Sequence, residues 1–488
     1  MSGDQSDEGT GKDIVQTNVL SFEEEKERIR QEIEAGISNV AGQLKEYDDD
    51  KLLKVMNDKH AFINSYGGKP MVMCYEWSNV DNREIIEFRS PEAIAIQYSN
   101  QSVKVEKSYQ ELGRWWIRHS ARREYNSILF DPSLPKEYNN CFNLYQGMAV
   151  ASKKGSWKKT LTHIYKVLCN SDREKFEYTI KWFAWCLQNP GVPAEVVMIL
   201  KGKQGAGKGF IFSQFVNIFG NHGLHISNRK HLTGDFNGHL ATCVFLFADE
   251  AYYPGDKEVA GALNQLITEK SIATEKKRMD VIKTKNCLHI AMATNEEWVI
   301  PVTDDTRRYY INKVEDTYAY GIKSHTEREK YFNNLWGEMK DGGQEAMVHD
   351  LLNMDLKGWH PRFNIPYTKE LAQQSELSLV GATKIIASFL ENGEFPGAGE
   401  KDYHGFTCTA QGLNEYLTKI NPFYSKTSFK AKAQMYKKLG GINIHTRTGN
   451  TWNFPKLREC KENFIKNINK HYEFENMDDE WTTGQTEY

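Results

Sequence analysis

The chain has 488 residues, a formal net charge of −3 at pH 7, 40% hydrophobic residues and 12% aromatic residues. This composition is typical of a well-packed soluble protein of several domains, and it excludes a chain that is disordered throughout. The near-zero charge excludes a global basic field, so any contact with DNA must come from a local patch.

The cysteines and the apolar runs exclude further classes of protein. Eight cysteines are scattered singly without a C-x-x-C pair, which argues against a zinc ribbon and a disulfide framework. They are Cys74, Cys141, Cys169, Cys186, Cys243, Cys287, Cys408 and Cys460. No apolar run approaches the roughly 18 residues of a membrane span, and the acidic start MSGDQSDEGTGKD is unlike a signal peptide. We therefore expect a cytoplasmic protein without membrane contact.

The N-terminal part predicts a change from disorder to helix and then to mixed structure. Residues 1–20 are polar and predicted to be a disordered tail, and 21–58 read as a charged helical segment. Ser21 and Glu24 form a capping-box signature at its start. Residues 59–165 predict a mixed N-terminal domain, in which MVMCYEW, REIIEFRS and AIAIQYS are typical of short strands.

Residues 166–193 predict a helical collar that ends at the Asn-Pro-Gly stop. Trp182, Phe183 and Trp185 on this helix allow two interpretations. They could form a base-stacking platform, but a helix this aromatic is more often part of a core, which is the interpretation we favour.

Residues 194–315 alternate strand, loop and helix, the pattern of an α/β core with a parallel sheet. EVVMIL, CVFLFADE and CLHIAMATN are apolar runs that end in polar residues. Buried parallel strands with a site at their carboxyl ends have this pattern.

The segment GKQGAGKG after EVVMIL matches the phosphate-binding P-loop G-x-x-x-x-G-K-[ST] except at its last position. The predicted phosphate-binding residues are Gly202, Gly205, Ala206, Gly207, Lys208 and Gly209. Lys208 would reach the β- and γ-phosphates, but Gly209 replaces the hydroxyl that binds Mg²⁺. Ser213 lies one helical turn later, about 6 Å along the axis, so it cannot simply substitute.

Three further elements follow in order. Asp249 and Glu250 end CVFLFADE. On a strand next to the P-loop strand, Asp249 would hold Mg²⁺ and Glu250 would polarise the attacking water. Asn295 ends the next strand as a predicted sensor of the γ-phosphate. Arg307 and Arg308 could reach a neighbouring subunit's nucleotide, or could be a surface pair bound to nearby aspartates.

The stretch between the acidic pair and the sensor is locally basic. SIATEKK and DVIKT are typical of the two strands of a hairpin that carries Lys276, Lys277 and Arg278. Such a hairpin could contact the phosphates of DNA without sequence preference, or it could be a plain solvated hairpin.

The C-terminal part predicts three more regions. A helical connector spans 316–366, and 367–456 read as helix, turn, basic helix and wing, which resembles a winged-helix module. Lys430 and Lys437 on the second helix are predicted DNA contacts, although a winged helix that binds protein fits as well. Residues 457–488 are predicted to be a disordered acidic tail, which could instead bind a replication protein.

Taken together, the ordered elements resemble the superfamily 3 helicases of small viruses, phages and plasmids. The similarity is greatest to the helicase part of phage and poxvirus-type primase-helicases. It covers roughly residues 110–315. It implies a P-loop AAA+-type core that binds ATP and Mg²⁺, assembles as a homohexameric ring and translocates on single-stranded DNA.

Two departures from the family pattern and two alternatives accompany this resemblance. Gly209 removes one Mg²⁺ ligand, and no polymerase-type primase domain is evident, so we expect no primer synthesis from these residues. The main hypothesis is an ATP-dependent replicative helicase of a phage or mobile element, in the host cytoplasm, with origin duplex DNA as a further possible partner. The alternatives are a ring NTPase that loads or remodels replication proteins and a non-enzymatic DNA-binding replication factor.

Overall fold

The structure is a computed structural model that describes most of the chain. The described residues are 49–80, 82–106, 108–234, 237–250, 257–275, 280–297, 299, 308–379, 381–396, 400–402, 404–446, 449–478 and 480–483. They divide into two compact units. The first unit comprises the described residues up to Asn64 and Pro70–Tyr125, and the second comprises Ser65–Lys69 and the described residues from Asn126 onward.

The first unit mixes helices with short antiparallel strands. In chain order its elements are α1 (Asp49–Lys59), β1 (His60–Tyr66), β2 (Lys69–Ser78), β3 (Arg83–Arg89), α2 (Pro91–Gln97), β4 (Ser102–Val105), β5 (Ser108–Glu111) and α3 (Leu112–Arg118). Strand β2 pairs with β3, and β4 pairs with β5, both antiparallel. Trp116 from α3 is fully buried in the core of this unit, and its indole N–H donates to Asn57 Oδ1 at 2.9 Å.

One of the three predicted strands in this region is wrong. MVMCYEW and REIIEFRS lie in β2 and β3, but AIAIQYS lies largely in α2. The side chain of Ser90 caps this helix by accepting from the backbone N–H of Ala93, and Pro91 occupies its first turn. These start signals outweigh the strand preference of the two isoleucines.

The second unit contains the larger sheet. Its first elements are β6 (Glu124–Leu129), β7 (Glu137–Tyr138), β8 (Cys141–Asn143), α4 (Lys158–His163), α5 (Arg173–Gln188), β9 (Val197–Lys201), α6 (Lys208–Phe219), β10 (Gly223–Ile226), α7 (Arg229–Thr233), β11 (Phe245–Asp249), α8 (Lys257–Thr268), β12 (Ser271–Thr274), β13 (Ile282–Lys285), β14 (His289–Thr294), β15 (Tyr309–Lys313), α9 (His325–Glu338) and α10 (Gln344–Leu352).

Five of these strands form a parallel sheet in the order β10-β11-β14-β9-β15. The three strands predicted from their apolar runs, β9, β11 and β14, are therefore confirmed as parallel neighbours in one sheet. The expectation that the acidic strand lies next to the P-loop strand is wrong, because β14 lies between β11 and β9. Asp249 pairs with Ala293, and Thr294 pairs with Lys201, so the carboxyl ends of all three strands meet at one edge.

Helices α5 and α6 pack aromatic side chains against this sheet. Phe183 of α5 stacks on Phe215 of α6 with ring centroids 4.5 Å apart, and Phe215 lies 5.2 Å from Phe245 of β11. Trp182 is fully buried and donates its indole N–H to the carbonyl of Val196. The interpretation of Trp182 and Phe183 as core residues is thereby confirmed.

The remaining elements follow α10. They are α11 (Lys369–Leu377), α12 (Gly381–Asn392), β16 (Glu394–Phe395), β17 (Glu400–Asp402), β18 (Gly405–Thr409), α13 (Ala410–Ile420), α14 (Phe429–Lys438), β19 (Ile442–Thr446), β20 (Gly449–Pro455), α15 (Leu457–Asn467) and β21 (Thr482–Thr483). We call the described residues 381–483 the C-terminal domain, because the elements from α12 onward share one hydrophobic core.

The C-terminal domain has the predicted helix, turn, helix and hairpin, formed by α13, α14, β19 and β20. The predicted disordered tail is wrong for its described part. Trp481 is 1% exposed, donates its indole N–H to the carbonyl of Pro455 at 2.8 Å and lies against Phe389 and Phe406. Trp481 is therefore part of the core and unavailable to a partner protein.

No helix in the described part of the chain is long and apolar enough to cross a membrane.

Candidate active site

The predicted strand, loop and helix are present at the carboxyl end of β9. The strand ends at Lys201, and α6 begins at Lys208 with Gly207 as its N-cap. Gly205 has φ +80° and Gly207 has φ +93°, which are left-handed conformations that favour glycine. The N-terminus of α6 therefore faces the space at the sheet edge, as in a phosphate-binding site.

Neighbouring side chains also require glycine at these two positions. A Cβ on Gly205 would lie 2.6 Å from Nη2 of Arg328, and a Cβ on Gly207 would lie 2.8 Å from Cε1 of His163. Both distances are too short for non-bonded atoms. The loop is thus enclosed by α4 and α9 on the outside, and this packing holds its backbone in shape.

Lys208 is buried to 8% exposure, and its ammonium group binds the loop itself. Its Nζ donates to the carbonyls of Gly202 at 2.6 Å and Lys203 at 2.8 Å. Burial lowers the pKa of Lys208, and the nearby carboxylates of Glu250 and Asp249 oppose that shift. A polyphosphate would offer the same ammonium group a stronger, charge-assisted set of acceptors.

The acidic pair lies at the end of β11. Asp249 is the last residue of the strand, and Glu250 follows with φ +53°, a left-handed conformation that is uncommon for a residue other than glycine. The backbone N–H of Glu250 donates to the carbonyl of Ala293 at 2.9 Å, which holds the turn against β14. Backbone strain of this kind costs on the order of 1 kcal/mol and is concentrated at functional sites.

The loop and the acidic pair line one cavity of about 460 Å³. Of the predicted phosphate-loop residues, Gly205, Gly207, Lys208 and Gly209 line it, whereas Gly202 and Ala206 belong to the loop without lining the cavity. Asp249 and Glu250 line it as well. Cation, carboxylates and helix N-terminus thus surround one space, as binding and hydrolysis of a phosphoanhydride require.

Two predicted residues lie outside this cavity. Asn295 directly follows β14 and is exposed, but Ala293 lines the cavity in its place. Arg308 precedes β15, whose first residue Tyr309 pairs with Val197 at the amino end of β9. It is therefore about 13 Å along the strands from the end of β9, so it does not reach the cavity of its own chain.

Arg307, Lys276, Lys277 and Arg278 lie outside the described residues. The predicted hairpin itself is confirmed, because β12 and β13 pair antiparallel with Ser271 opposite Lys285. Lys285 at its base binds Asp131 at 2.7 Å and is a structural residue, whereas Lys283 is exposed.

On α14 the two predicted DNA contacts, Lys430 and Lys437, are exposed. Lys432 on the same helix is only 5% exposed and donates to Asn414 Oδ1, so it faces the interior.

Sequence reasoning missed one wall of the cavity. Arg328, Phe332 and Trp336 of α9 line it, together with Phe210 of α6. The three residues of α9 are spaced four residues apart and therefore share one face of the helix. This spacing is visible in the sequence. Nothing in the sequence shows that this face meets the phosphate loop.

Two histidines near the loop were also missed. His163 is fully buried, and its Nδ1 shares a hydrogen bond with the Tyr331 hydroxyl at 2.9 Å. Burial lowers the pKa of His163 to about 4. His225 of β10 stacks on Phe247 at 4.5 Å and places Nε2 3.8 Å from Oδ2 of Asp249.

The same Phe247 ring lies beside Gly209. A Cβ on Gly209 would be 3.4 Å from Cζ of Phe247, which is an ordinary contact, and its backbone φ is not positive. Neither space nor backbone therefore demands glycine at this position.

Within the described residues, no group of three or more His, Cys, Asp or Glu side chains could hold a metal ion. Mg²⁺ ordinarily binds through one or two carboxylates, with water and substrate phosphates completing the octahedron. The carboxylate of Asp249 would fit that mode, with water and substrate phosphates as the remaining ligands.

A family profile and a phage protein match parts of this chain. A family profile described as a family of unknown function, DUF5906, matches residues 200–308. The chain is 24% identical over 192 residues to the DNA primase-polymerase of Nitratiruptor phage NrS-1, which covers 37% of this chain and 26% of that protein. The chain thus spans about a quarter of the length of this curated relative.

The fold is similar to that of solved structures from the same phage protein. The apo structure of the NrS-1 C-terminal region has a TM-score of 0.54 at 16% identity, and the match covers 90% of this chain and 92% of that one. An A-form apo structure of the region has a TM-score of 0.56 at 16% identity, over 84% of this chain and 100% of that one. The chain therefore shares a mixed α/β fold with several sheets with this region.

Proposed function

We propose that this chain is a phage replication protein that hydrolyses ATP at the described cavity and uses the energy to separate DNA strands. The observation that carries the proposal is the convergence of Lys208, Asp249 and Glu250 on one cavity at the carboxyl edge of the parallel sheet. The similarity to part of a phage DNA primase-polymerase supports the replication context.

Each residue has a role that follows from its chemistry. The backbone N–H groups from Gly205 to Lys208 and the Lys208 ammonium would bind the β- and γ-phosphates. Asp249 would bind Mg²⁺, which neutralises charge developing on the phosphates. Glu250 would orient and polarise the attacking water. Asn295 follows β14, which lies between the strand of the loop and the strand of the acidic pair. After a small movement its amide would sense the γ-phosphate.

The position of Arg308 is compatible with a site shared between subunits. Since Arg308 lies at the amino edge of the sheet, it can contribute to hydrolysis only at the cavity of another chain. An AAA+-type homohexameric ring with sites between subunits meets this requirement, and Arg307 or Arg308 would then stabilise transition-state charge in trans.

Two basic segments of the chain are proposed DNA contacts. The β12–β13 hairpin would carry Lys276, Lys277 and Arg278 to single-stranded DNA in the ring. On the C-terminal domain, Lys430 and Lys437 are exposed, and Phe423 and Phe429 are 66% and 81% exposed. Nζ of Lys426 lies 4.5 Å from the centroid of the Phe423 ring. Exposed rings beside lysines are typical of nucleic-acid contacts, and this surface would bind single strands or origin duplex.

A strand-displacement assay on a forked DNA duplex with ATP and Mg²⁺ tests the proposal. Wild type should separate the strands, and Glu250→Gln should bind ATP but fail to hydrolyse it or to unwind. Equal strand separation by both proteins would refute the helicase proposal. Hydrolysis that survives Lys276→Ala with Lys277→Ala and is not stimulated by DNA would instead indicate a ring NTPase that remodels proteins.

A further inference from the structure

The cavity has two sides of different chemical character. Lys208, Asp249 and Glu250 line the charged side, and Phe210, Phe332 and Trp336 line an aromatic side. A nucleoside triphosphate has the same division, because its phosphates are charged and its base is a flat aromatic ring with a π-face that can stack. The two sides of the cavity therefore correspond to the two parts of a nucleoside triphosphate.

Successive turns of α9 lie against successive residues of the phosphate loop and the start of α6. Arg328, Phe332 and Trp336 lie four residues apart on α9. Arg328 lies at Gly205, where its Nη2 would be 2.6 Å from an added Cβ, and Phe332 lies at Gly207. Trp336 lies at Phe210, with ring centroids 4.9 Å apart and an interplanar angle of 87°. Trp336, the last of these three residues, therefore lies beyond Lys208, past the loop segment that would bind the phosphates.

Trp336 is much more exposed than the apolar residues beside it. Phe210 is 5% exposed, and Leu335 on the adjacent face of α9 is 1% exposed, but Trp336 is 45% exposed. Leu335 thus anchors the helix, whereas Trp336 lines the cavity and keeps nearly half of its surface exposed. A partly exposed indole held against a perpendicular ring offers an aromatic face for stacking at one end of a polyphosphate site.

On this basis, and resting on the proposed function, we infer that Trp336, supported by Phe210 and Phe332, stacks on the nucleobase of the bound triphosphate. Stacking recognises the area of the π-face and not the hydrogen-bonding edge, because every base has such a face. The site therefore accepts purine triphosphates with little distinction between adenine and guanine, and binds the smaller pyrimidines more weakly.

The experiment compares ligands with and without a base. Isothermal titration calorimetry with Mg²⁺ measures the Kd of non-hydrolysable ATP and GTP analogues and of inorganic tripolyphosphate for the full chain. Trp336→Ala should weaken both nucleotides by about tenfold or more and leave tripolyphosphate unchanged, since loss of a stacked base costs on the order of tenfold. Trp336→Phe keeps a ring and should restore most of the affinity.

A matched control is Trp77→Ala, which removes another partly exposed tryptophan (39% exposed) that does not line the cavity and should change no Kd. The inference is overturned if Trp336→Ala weakens tripolyphosphate as much as the nucleotides, or weakens neither. If the wild type binds neither nucleotide nor tripolyphosphate, both the inference and the proposed function fail. Base-dependent binding without strand separation would refute the proposed function and leave the nucleobase site standing.

Discussion

Trp336 at the cavity leaves 45% of its surface exposed, whereas Trp481 in the C-terminal domain leaves 1% and donates its N–H to a backbone carbonyl. The same contrast extends to the backbone and to charge. At the cavity edge Glu250 has a left-handed φ and Lys208 is buried, while the C-terminal domain buries aromatic rings against one another. Open surface, strain and buried charge at the cavity edge reduce stability, and in the proposed function they serve ligand binding. The C-terminal core provides stability.

This comparison predicts that substitutions in the two regions separate stability from activity. The largest expected effect is on folding, from Trp481→Ala. Removal of a fully buried tryptophan should lower the free energy of unfolding by about 3–5 kcal/mol. Thermal unfolding would measure the loss, while ATP hydrolysis per folded molecule at low temperature should stay near wild type. Phe429→Ala, at 81% exposure, is the control. A loss of hydrolysis without a loss of stability would show that Trp481 acts on the site.

Lys208→Ala should have the opposite profile. Removal of a group that stabilises charge in the transition state should lower the rate of ATP hydrolysis by about 10²–10³-fold. Stability should be unchanged or higher, because a buried ammonium group is removed. The control is Lys203→Ala in the same loop, where Nζ lies 3.0 Å from Asp316 and is 62% exposed. Equal activity of both variants would contradict the assignment of Lys208.

The pH dependence of stability tests how tightly the loop is packed. Burial lowers the pKa of His163 to about 4 in the folded chain, against about 6.5 in the unfolded one. Between these values the unfolded state binds a proton that the folded state does not, so stability falls as pH falls through this window. His163 alone would account for about 3 kcal/mol near pH 4.

Thermal unfolding from pH 7.5 to 4.5 measures this effect. His163→Gln should flatten the loss of Tm, and His325→Gln at an exposed position should not. An unchanged slope in His163→Gln would place the acid sensitivity elsewhere, for example in buried His289, whose pKa burial lowers to about 3.

The smallest effect is expected at Gly209. A serine there would add a hydroxyl ligand for Mg²⁺ at a position where a Cβ makes only ordinary contact with Phe247. Hydrolysis should remain, and the Mg²⁺ concentration for half-maximal rate should fall a few-fold. Gly209→Ala adds the same Cβ without the hydroxyl and should leave the Mg²⁺ dependence unchanged. Abolished hydrolysis in both variants would mean that the loop needs glycine there.

Patterns of residues close in sequence were sufficient to predict much of the secondary structure. The P-loop, the acidic pair and three parallel strands follow from runs of apolar residues with glycines or carboxylates at their ends, and the strands are present as predicted. AIAIQYS failed because its isoleucines suit a strand as well as a helix, and the Ser90-Pro91 start decided the outcome. The predicted disorder of the acidic tail is wrong because its many charged residues favour disorder, whereas Trp481 packs into the core of the C-terminal domain.

By itself, therefore, the sequence determined which residues are candidates for phosphate and acid chemistry and in what order they follow parallel strands. The tertiary structure alone decided that β14 lies between the loop and the acidic strand, and that Arg308 lies at the opposite edge. It also brought α9, more than one hundred residues after the loop, against Gly205 and Gly207. The physical reason is that a motif depends on residues close in sequence, whereas strand order and helix docking depend on which apolar faces bury one another across the whole unit.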